Sequence, residues 1–566
     1  MNILFFTPFY SMWNTTIIEN LLTEELSKEN NVFVLYCNDF MKNMCIAQDA
    51  EHKNVFSPIK DKLETCKNCK KNFKRISKNK RINYLNIDSY FTSGVIENVK
   101  KLNLDDKSND DLLKIKIDNI DAGKICLYEI SLRKKYTSLT IENEIERAEV
   151  IEKLNQINKF NHFLKYIKKG INPDLIITTN GYYYITNFFI KFFNDKKVKS
   201  VCISNSSNYK FSRKDLRIYY SNYLEDKNIL SENFEIYNKT KLLETSLDQA
   251  LANIETHIKK EHSHAFSPKY SKNIDIKEKF RIKEGKKIIL VSLSSQAEIF
   301  SAINVLSLNF KKSLFNTQID FVKYILEISN TLNDHHFIIR THPRQYIDNI
   351  SQEILELEKI NFNNYPNVSI NTPSDGLSTF NFIKDIDFII NSWSSVAVEM
   401  GIFGIENITI FPEYALYPKK CMNIINSKND LIKKINNIKK RNILTATTFL
   451  KYLQAENFFG VVSFKKNFLS SRLIPSMFSN FFEKFSFKFI YLRMWHLIKK
   501  INMDTLDKKA LNLFLNNKYN TYHESKLHIF NEEKLINKKK KFVNENIIKE
   551  QINLFTKKNF NFINFL

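Results

Sequence analysis

No run of 18 or more uncharged apolar residues occurs in this 566-residue chain, which argues against a membrane-spanning helix. The opening stretch MNILFFTPFY lacks the basic region and the small-residue cleavage site of a secretory leader, so it reads as a first strand. Cysteine is scarce as well. Seven in a chain of this length, with no leader, point to a reducing compartment and not to a disulfide framework. The expectation is a cytoplasmic protein, with peripheral attachment to the cytoplasmic face of an inner membrane as an extension of it.

Lysine, by contrast, is abundant. Lys and Arg number 85 against 61 Asp and Glu, a net charge of +24, which suits an anionic partner such as a nucleotide, a nucleic acid, an acidic glycan or an anionic membrane surface. Enrichment in Lys, Asn and Ile runs through the whole chain, and compositional drift accounts for part of the excess. The C-terminal part stands out: residues 465–566 hold 20 Lys and Arg against 8 Asp and Glu, half of the net charge. Within it, FSNFFEKFSFKFIYLRMWHLIKK (478–500) interleaves aromatic and cationic residues, a pattern that lies in a membrane interface or packs its aromatics on a neighbouring domain. For a nucleic-acid-binding protein the basic residues should gather along one groove with exposed aromatics. Here the lysines are scattered and the aromatics of the first 440 residues sit in apolar runs, so that reading is not favoured.

Length alone implies two or three domains. An apolar run at Ile3–Phe6, an amphipathic stretch TTIIENLLTEELSKE and a second run NVFVLYC open the chain as strand, helix and strand, the start of a parallel α/β sheet. The segment 38–125 is less regular. A helix over 142–169 then leads to a strand at Leu175–Thr178 ending in Asn180-Gly181, an aromatic helix and the strand VKSVCIS. Residues 213–262 are polar and helix-prone with no strand signal, and alternation restarts at KKIILVSLS (286–294). The predicted fold is α/β, with two Rossmann-like doubly wound domains facing a cleft. Residues 1–212 form the first domain, 213–280 a helical linker, 281–440 the second domain and 441–566 a basic helical extension.

Two strand ends carry chemistry. HHFIIRTHPRQ (335–345) stops an apolar strand at Arg340-Thr341-His342-Pro343-Arg344. Pro343 suits the first position of a helix, which places His342 at a helix N-terminus where free N–H groups favour an anion. Arg340 and Arg344 add charge-assisted bonds. The second is DFIINSWSSVAVEMGIFG (387–404), where a strand gives way to Ser394-Ser395 and a helix. Serines there cap N–H groups or offer hydroxyls to a phosphate, and Glu399 falls one turn on, on the face of Ser395. Gly404 is predicted to end that helix.

The pairing of RTHPR with NSWSSVAVEMGIFG resembles the HP and SS motifs of bacterial capsule and surface-polysaccharide glycosyltransferases of the GT-B type. These include sialyl-, polysialyl- and Kdo-transferase-like enzymes, with CDP-glycerol transferases as looser relatives. The resemblance covers about residues 285–415, and DLIITTNG resembles an acceptor-domain loop of the group. It implies a nucleotide-sugar donor whose phosphates meet Arg340, His342, Pro343, Arg344, Ser394 and Ser395, with His342 stabilising the leaving phosphate and Glu399 holding the ribose. Asn180 and Gly181 are then acceptor-side contacts, and the acceptor is a surface glycan or a lipid-linked one. The chain departs from the group in GIEN, where many members have Gly-x-Pro, and in lacking the acidic E/D-D-G base motif of polysialyltransferases.

No Asp-x-Asp closes a strand to hold Mg²⁺, and LNLDDKSNDD (102–111) falls in a polar loop, so metal-independent transfer is expected. The general base is not identified, although Asp39 follows the second strand. A CDP-alditol or sugar-phosphate transferase is the alternative on the same fold. A UDP-sugar epimerase would need paired acids and a histidine in the cleft, which the sequence does not show. Cys66-x-x-Cys69, with Cys37 and Cys45 upstream, has the sulfurs for a structural Zn²⁺ site, but the spacings are irregular and free thiols are favoured.

Overall fold

A computed structural model describes residues 1–566 apart from 12, 97–98, 206–214, 221–222, 261–265, 308–312, 348, 438–440, 465–502, 533–540 and 562–565. The aromatic basic stretch 478–500 therefore lies outside the described residues.

Thirteen strands are described: β1 (Asn2–Phe6), β2 (Asn31–Tyr36), β3 (Ile82–Asn86), β4 (Leu175–Thr179), β5 (Lys199–Asn205), β6 (Asp215–Tyr220), β7 (Lys287–Ser292), β8 (His335–Arg340), β9 (Val368–Asn371), β10 (Phe388–Asn391), β11 (Asn407–Thr409), β12 (Asn423–Ile424) and β13 (Val461–Ser463). They form two sheets, ordered β13-β6-β5-β4-β1-β2-β3 and β12-β11-β10-β7-β8-β9. Within each, the first strand of the domain lies centrally and the chain winds outward both ways, the doubly wound order. The central strands are parallel, and β4, β8 and β10 are buried along their whole length. Helices cover both faces of such sheets, which is why these strands read as continuous apolar runs instead of alternating ones.

The expected linker, 213–280, carries structure of both domains. β6 runs antiparallel to β5 in the first sheet, one strand in from its edge. Its centre, Arg217, is buried because Glu456 accepts from it at 2.9 Å across 239 residues, so local polarity hid the strand. Helix Glu244–Ile258 packs Leu247, Leu251 and Ile254 into the second domain's core. The expected C-terminal extension is likewise shared. Helix Ile443–Gln454 and helix Glu545–Phe560 pack on the second domain, whereas β13 pairs with β6 and helices Thr505–Leu515 and Tyr522–Glu532 pack on the first. The chain thus crosses repeatedly between the two domains.

The carboxyl edge of the second sheet faces the first domain. Lys135, which follows helix Tyr128–Lys134, donates through Nζ to the carbonyls of Ile347 and Asn349 just beyond the His-Pro turn. No described helix is long and apolar enough to cross a membrane.

Candidate active site

In the second sheet the winding direction changes between β7 and β10, and open α/β sheets bind ligands at that crevice. The loops leaving β7, β8 and β10 line an open-mouthed pocket with a cavity volume of about 120 Å³. Arg340, His342, Pro343, Ser394, Ser395 and Glu399 all line it.

Arg344 does not. Pro343 opens only a single 3-10 turn, Pro343–Tyr346, not an α-helix, and three residues per turn rotate each successive side chain by about 120°. Arg344 instead pairs with Glu298 and faces Tyr128 of the first domain. The helix after the serines is also short, Val396–Gly401. It is stopped by close packing: a Cβ on Gly401 would lie 2.1 Å from the Phe449 ring, and Gly404 turns left-handed at φ +76° against the Asn442 carbonyl. With two such short turns, neither strand end is followed by a long helix whose dipole could act on the pocket.

Arg340 is 5% exposed. Its guanidinium donates to Asn371 Oδ1, to the Leu377 carbonyl at 3.1 Å and to Ser267 Oγ at 3.4 Å, and sits 5.6 Å from the Phe382 ring centre. All of these partners are neutral. Among the described residues it forms no ion pair, and burial pulls its pKa down to about 10 against the weaker opposing pull of Glu399 and Asp375. A group with that pKa is still cationic at neutral pH. Burying a cation this deeply is costly, and its hydrogen-bond partners carry no charge to offset it.

His342 lies beside it. The Arg344 backbone N–H donates to His342 Nδ1 at 3.3 Å, which leaves the ring proton on Nε2. Burial and the neighbouring Arg340 push its pKa down to about 4, so at neutral pH His342 is an uncharged N–H donor. Across the pocket Ser394 Oγ accepts from the Val396 N–H at 3.4 Å, and Ser395 Oγ donates to Glu399 Oε1 at 3.2 Å. The one-turn spacing therefore brings Ser395 and Glu399 together as expected. His257 Nδ1 stands 4.0 Å from the same carboxylate.

Sequence reasoning missed half of the wall. Ser292 and Leu293 end β7, Ser378, Thr379 and Phe380 come from a one-turn helix, and His257, Phe266 and Ser267 come from the region taken as a linker. The Phe266 ring sits 6.2 Å from that of His342. The β7 end was legible by the same strand-end rule; the other contributions depend on chain returns that no local pattern reports. Also missed was Asp385-Ile386-Asp387, an Asp-x-Asp that precedes β10. Asp387 Oδ2 there accepts from the Ile288 N–H at 2.8 Å, at the opposite end of the sheet from the pocket.

Asn180 and Gly181 follow β4 at the carboxyl edge of the first sheet and do not line this pocket. Asn180 is left-handed at φ +41°, its Oδ1 accepts from the Tyr182 N–H at 3.3 Å, and the Gly181 carbonyl accepts from Asn187 at 2.7 Å. Asp39 pairs with Lys70 at 2.6 Å. Cys37, Cys45, Cys66 and Cys69 line one small cavity with Asp39. All are free thiols, burial pushes Cys45 up to about 12 and Cys66 to about 11, and no described group of three or more His, Cys, Asp or Glu is arranged for a metal ion.

Two doubly wound domains with a polar pocket at the second switch point define the architecture: α/β, of the two-domain kind in which GT-B enzymes are built. No family model matches the chain, and no curated protein matches it. Among solved structures it is similar to the KpsC β-Kdo 2,4-transferase of Thermosulfurimonas dismutans, at 9% identity and a TM-score of 0.30, over 51% of this chain and 81% of that one. The KpsC β-Kdo 2,7-transferase of the same organism gives 13% and 0.30, over 60% and 89%. A UDP-GlcNAc 2-epimerase of Neisseria meningitidis, bound to UDP-GlcNAc, gives 12% and 0.26, over 80% and 94%.

Proposed function

We propose that this protein is a glycosyltransferase that binds a nucleotide-sugar donor in the second-domain pocket and passes the sugar to a surface glycan or lipid-linked acceptor approaching from the first domain. The observation that carries this reading is Arg340, a buried cation whose described partners are all neutral, at the floor of a pocket also lined by a neutral histidine donor and paired serines. A phosphate supplies the missing negative charge. As the glycosidic bond to the nucleotide breaks, charge grows on the leaving phosphate, and preorganised donors stabilise it without reorganising. Arg340 supplies charge and His342 Nε2–H a neutral hydrogen bond. Ser394 and Ser395 contact the phosphates from the other side, and Glu399 accepts from the ribose hydroxyls. The basic residues of 465–566 would hold the enzyme near an anionic membrane face, where lipid-linked acceptors reside.

The test is a screen of CMP-, UDP-, GDP- and CDP-linked donors, following thermal stabilisation and nucleotide release. One nucleotide series should stabilise the protein and be released only when an acceptor is supplied. A CDP-alditol as the sole productive donor would select the sugar-phosphate transfer alternative. Absence of stabilisation by every nucleotide would remove the reading.

A further inference from the structure

The loops that carry the pocket are joined behind it by a buried chain of amides that converges on one carboxylate. Glu353 lies in the first turn of helix Gln352–Glu358, which Ser351 caps. Its Oε1 accepts from Gln318 Nε2 at 2.8 Å, and its Oε2 accepts from Gln345 Nε2. Gln318 reaches further: its Oε1 accepts from the Ser294 N–H at 2.8 Å, and its Nε2 also donates to the Ser294 carbonyl at 3.0 Å. Both amide protons of Gln318 are thereby committed. Ser294 directly follows Leu293, whose N–H donates to the Arg340 carbonyl at 2.9 Å. At the other end Gln345 belongs to the His-Pro turn, and its N–H donates to the His342 carbonyl at 3.0 Å. Ser294, Gln318, Gln345 and Glu353 are all buried.

We propose, building on the donor-site reading, that Glu353 is a positioning residue: gripped by Gln318 and Gln345, its carboxylate fixes the turn bearing His342 against the loop bearing Ser292 and Leu293, and so sets the width of the phosphate pocket. Glu353 touches no ligand itself. Core packing alone does not call for a carboxylate here. No described cation pairs with it, and burial raises its pKa to about 7, opposed by the two amide donors. A carboxyl group kept where burial disfavours its charge, with one oxygen on Gln318 and the other on Gln345 of the His-Pro turn, marks a geometric role. The Oε1 of Gln345 is buried without a partner, so a neutral amide at position 353 can complete the same bridge if the Gln345 amide turns over.

The experiment compares full-length wild type with Glu353→Gln, Glu353→Ala and Gln318→Leu, measuring affinity for the nucleotide that the donor screen selects, KM and kcat, and unfolding temperature. Supporting structure around a site is typically worth roughly 10- to 100-fold in ligand affinity. Glu353→Ala and Gln318→Leu should weaken nucleotide binding by about tenfold or more, while Glu353→Gln stays within about threefold of wild type. Affinity lost in step with unfolding temperature across all three variants, with no rescue by Gln, would overturn the positioning role and leave a structural one. Unchanged affinity in the Ala variant would overturn it outright. If the wild type binds no nucleotide, the donor-site reading has failed, and the crystallographic separation of His342 from Leu293 in Glu353→Ala still decides whether the bridge sets the pocket's width: an unchanged separation refutes it.

Discussion

The two sheets share one winding order, yet their carboxyl edges treat buried charge in opposite ways. Behind the β4 loop of the first domain, Lys153 is gripped at 2.8 Å by both Glu129 and Glu149, and Glu149 also bonds Arg133 at 2.7 Å. Glu129 in turn accepts from the Tyr184 N–H at 2.8 Å, anchoring the turn that follows Asn180 and Gly181. Burial alone would lower the Lys153 pKa, and the two carboxylates outweigh it and raise it. Where a carboxyl group of that domain has no cation beside it, as at Glu19, burial outweighs a hydrogen bond with Thr7, pushes it up to about 8 and lets it keep its proton near neutral pH. Arg340 has neither remedy: it has no described carboxylate partner, and at a pKa of about 10 it cannot discharge near neutral pH. One fold thus yields an edge whose buried charges are paired in contact and another whose buried Arg340 has neutral hydrogen-bond partners, with Glu399 and Asp375 acting only at longer range.

The largest effect expected of breaking this contrast is in the first domain. Lys153→Met leaves the buried Glu129 without its cation and Glu149 with Arg133 alone, and should cost about 3–5 kcal/mol of stability, visible as a lower denaturation midpoint, without altering the nucleotide affinity of the folded fraction. The next concerns pH. A folded-state pKa of about 7 at Glu353 exceeds the ordinary 4.5, so between those values the native state binds more protons than the unfolded one and stability falls as pH rises. Glu356 on the same helix adds to the rise, and the groups facing Glu353 from helix 318–329 and the His-Pro turn are neutral amides. Glu353→Gln removes this term. Its stability relative to wild type should therefore improve by about 3 kcal/mol from pH 4.5 to pH 8, checked by denaturation at both. A smaller effect is expected at His342, a neutral donor whose loss to Ala should weaken nucleotide binding by roughly tenfold, as read by calorimetry.

The strand ends on the second side of this contrast were visible in the amino-acid order, for a definable reason. Parallel strands buried on both faces leave apolar runs, as in Phe337–Ile339 and Phe388–Ile390, and the residues that end them fall at the ligand edge. That logic found Arg340, His342, Ser394, Ser395 and Glu399 before any coordinates, and all five share the pocket. Arg344 lies outside the pocket lining and pairs with Glu298, a placement that the Pro343 turn signal does not report. The same logic missed β6 because Arg217 is buried by Glu456, and His257 and Ser267 because a polar segment gives no sign of folding back over a distant strand end. The neutrality of Arg340's partners is likewise a tertiary fact: Asn371, at the end of β9, and Leu377, beyond it, are more than thirty residues away in the chain.

The most direct measurement is calorimetric titration of the selected nucleotide into wild type and Arg340→Ala at two salt concentrations, with unfolding monitored alongside. If Arg340 awaits a phosphate, the substitution should lower affinity by about 100-fold, as befits a buried charge-assisted contact, and flatten the salt dependence while the protein stays folded. Equal affinity and equal salt dependence in a folded Arg340→Ala protein would contradict the account.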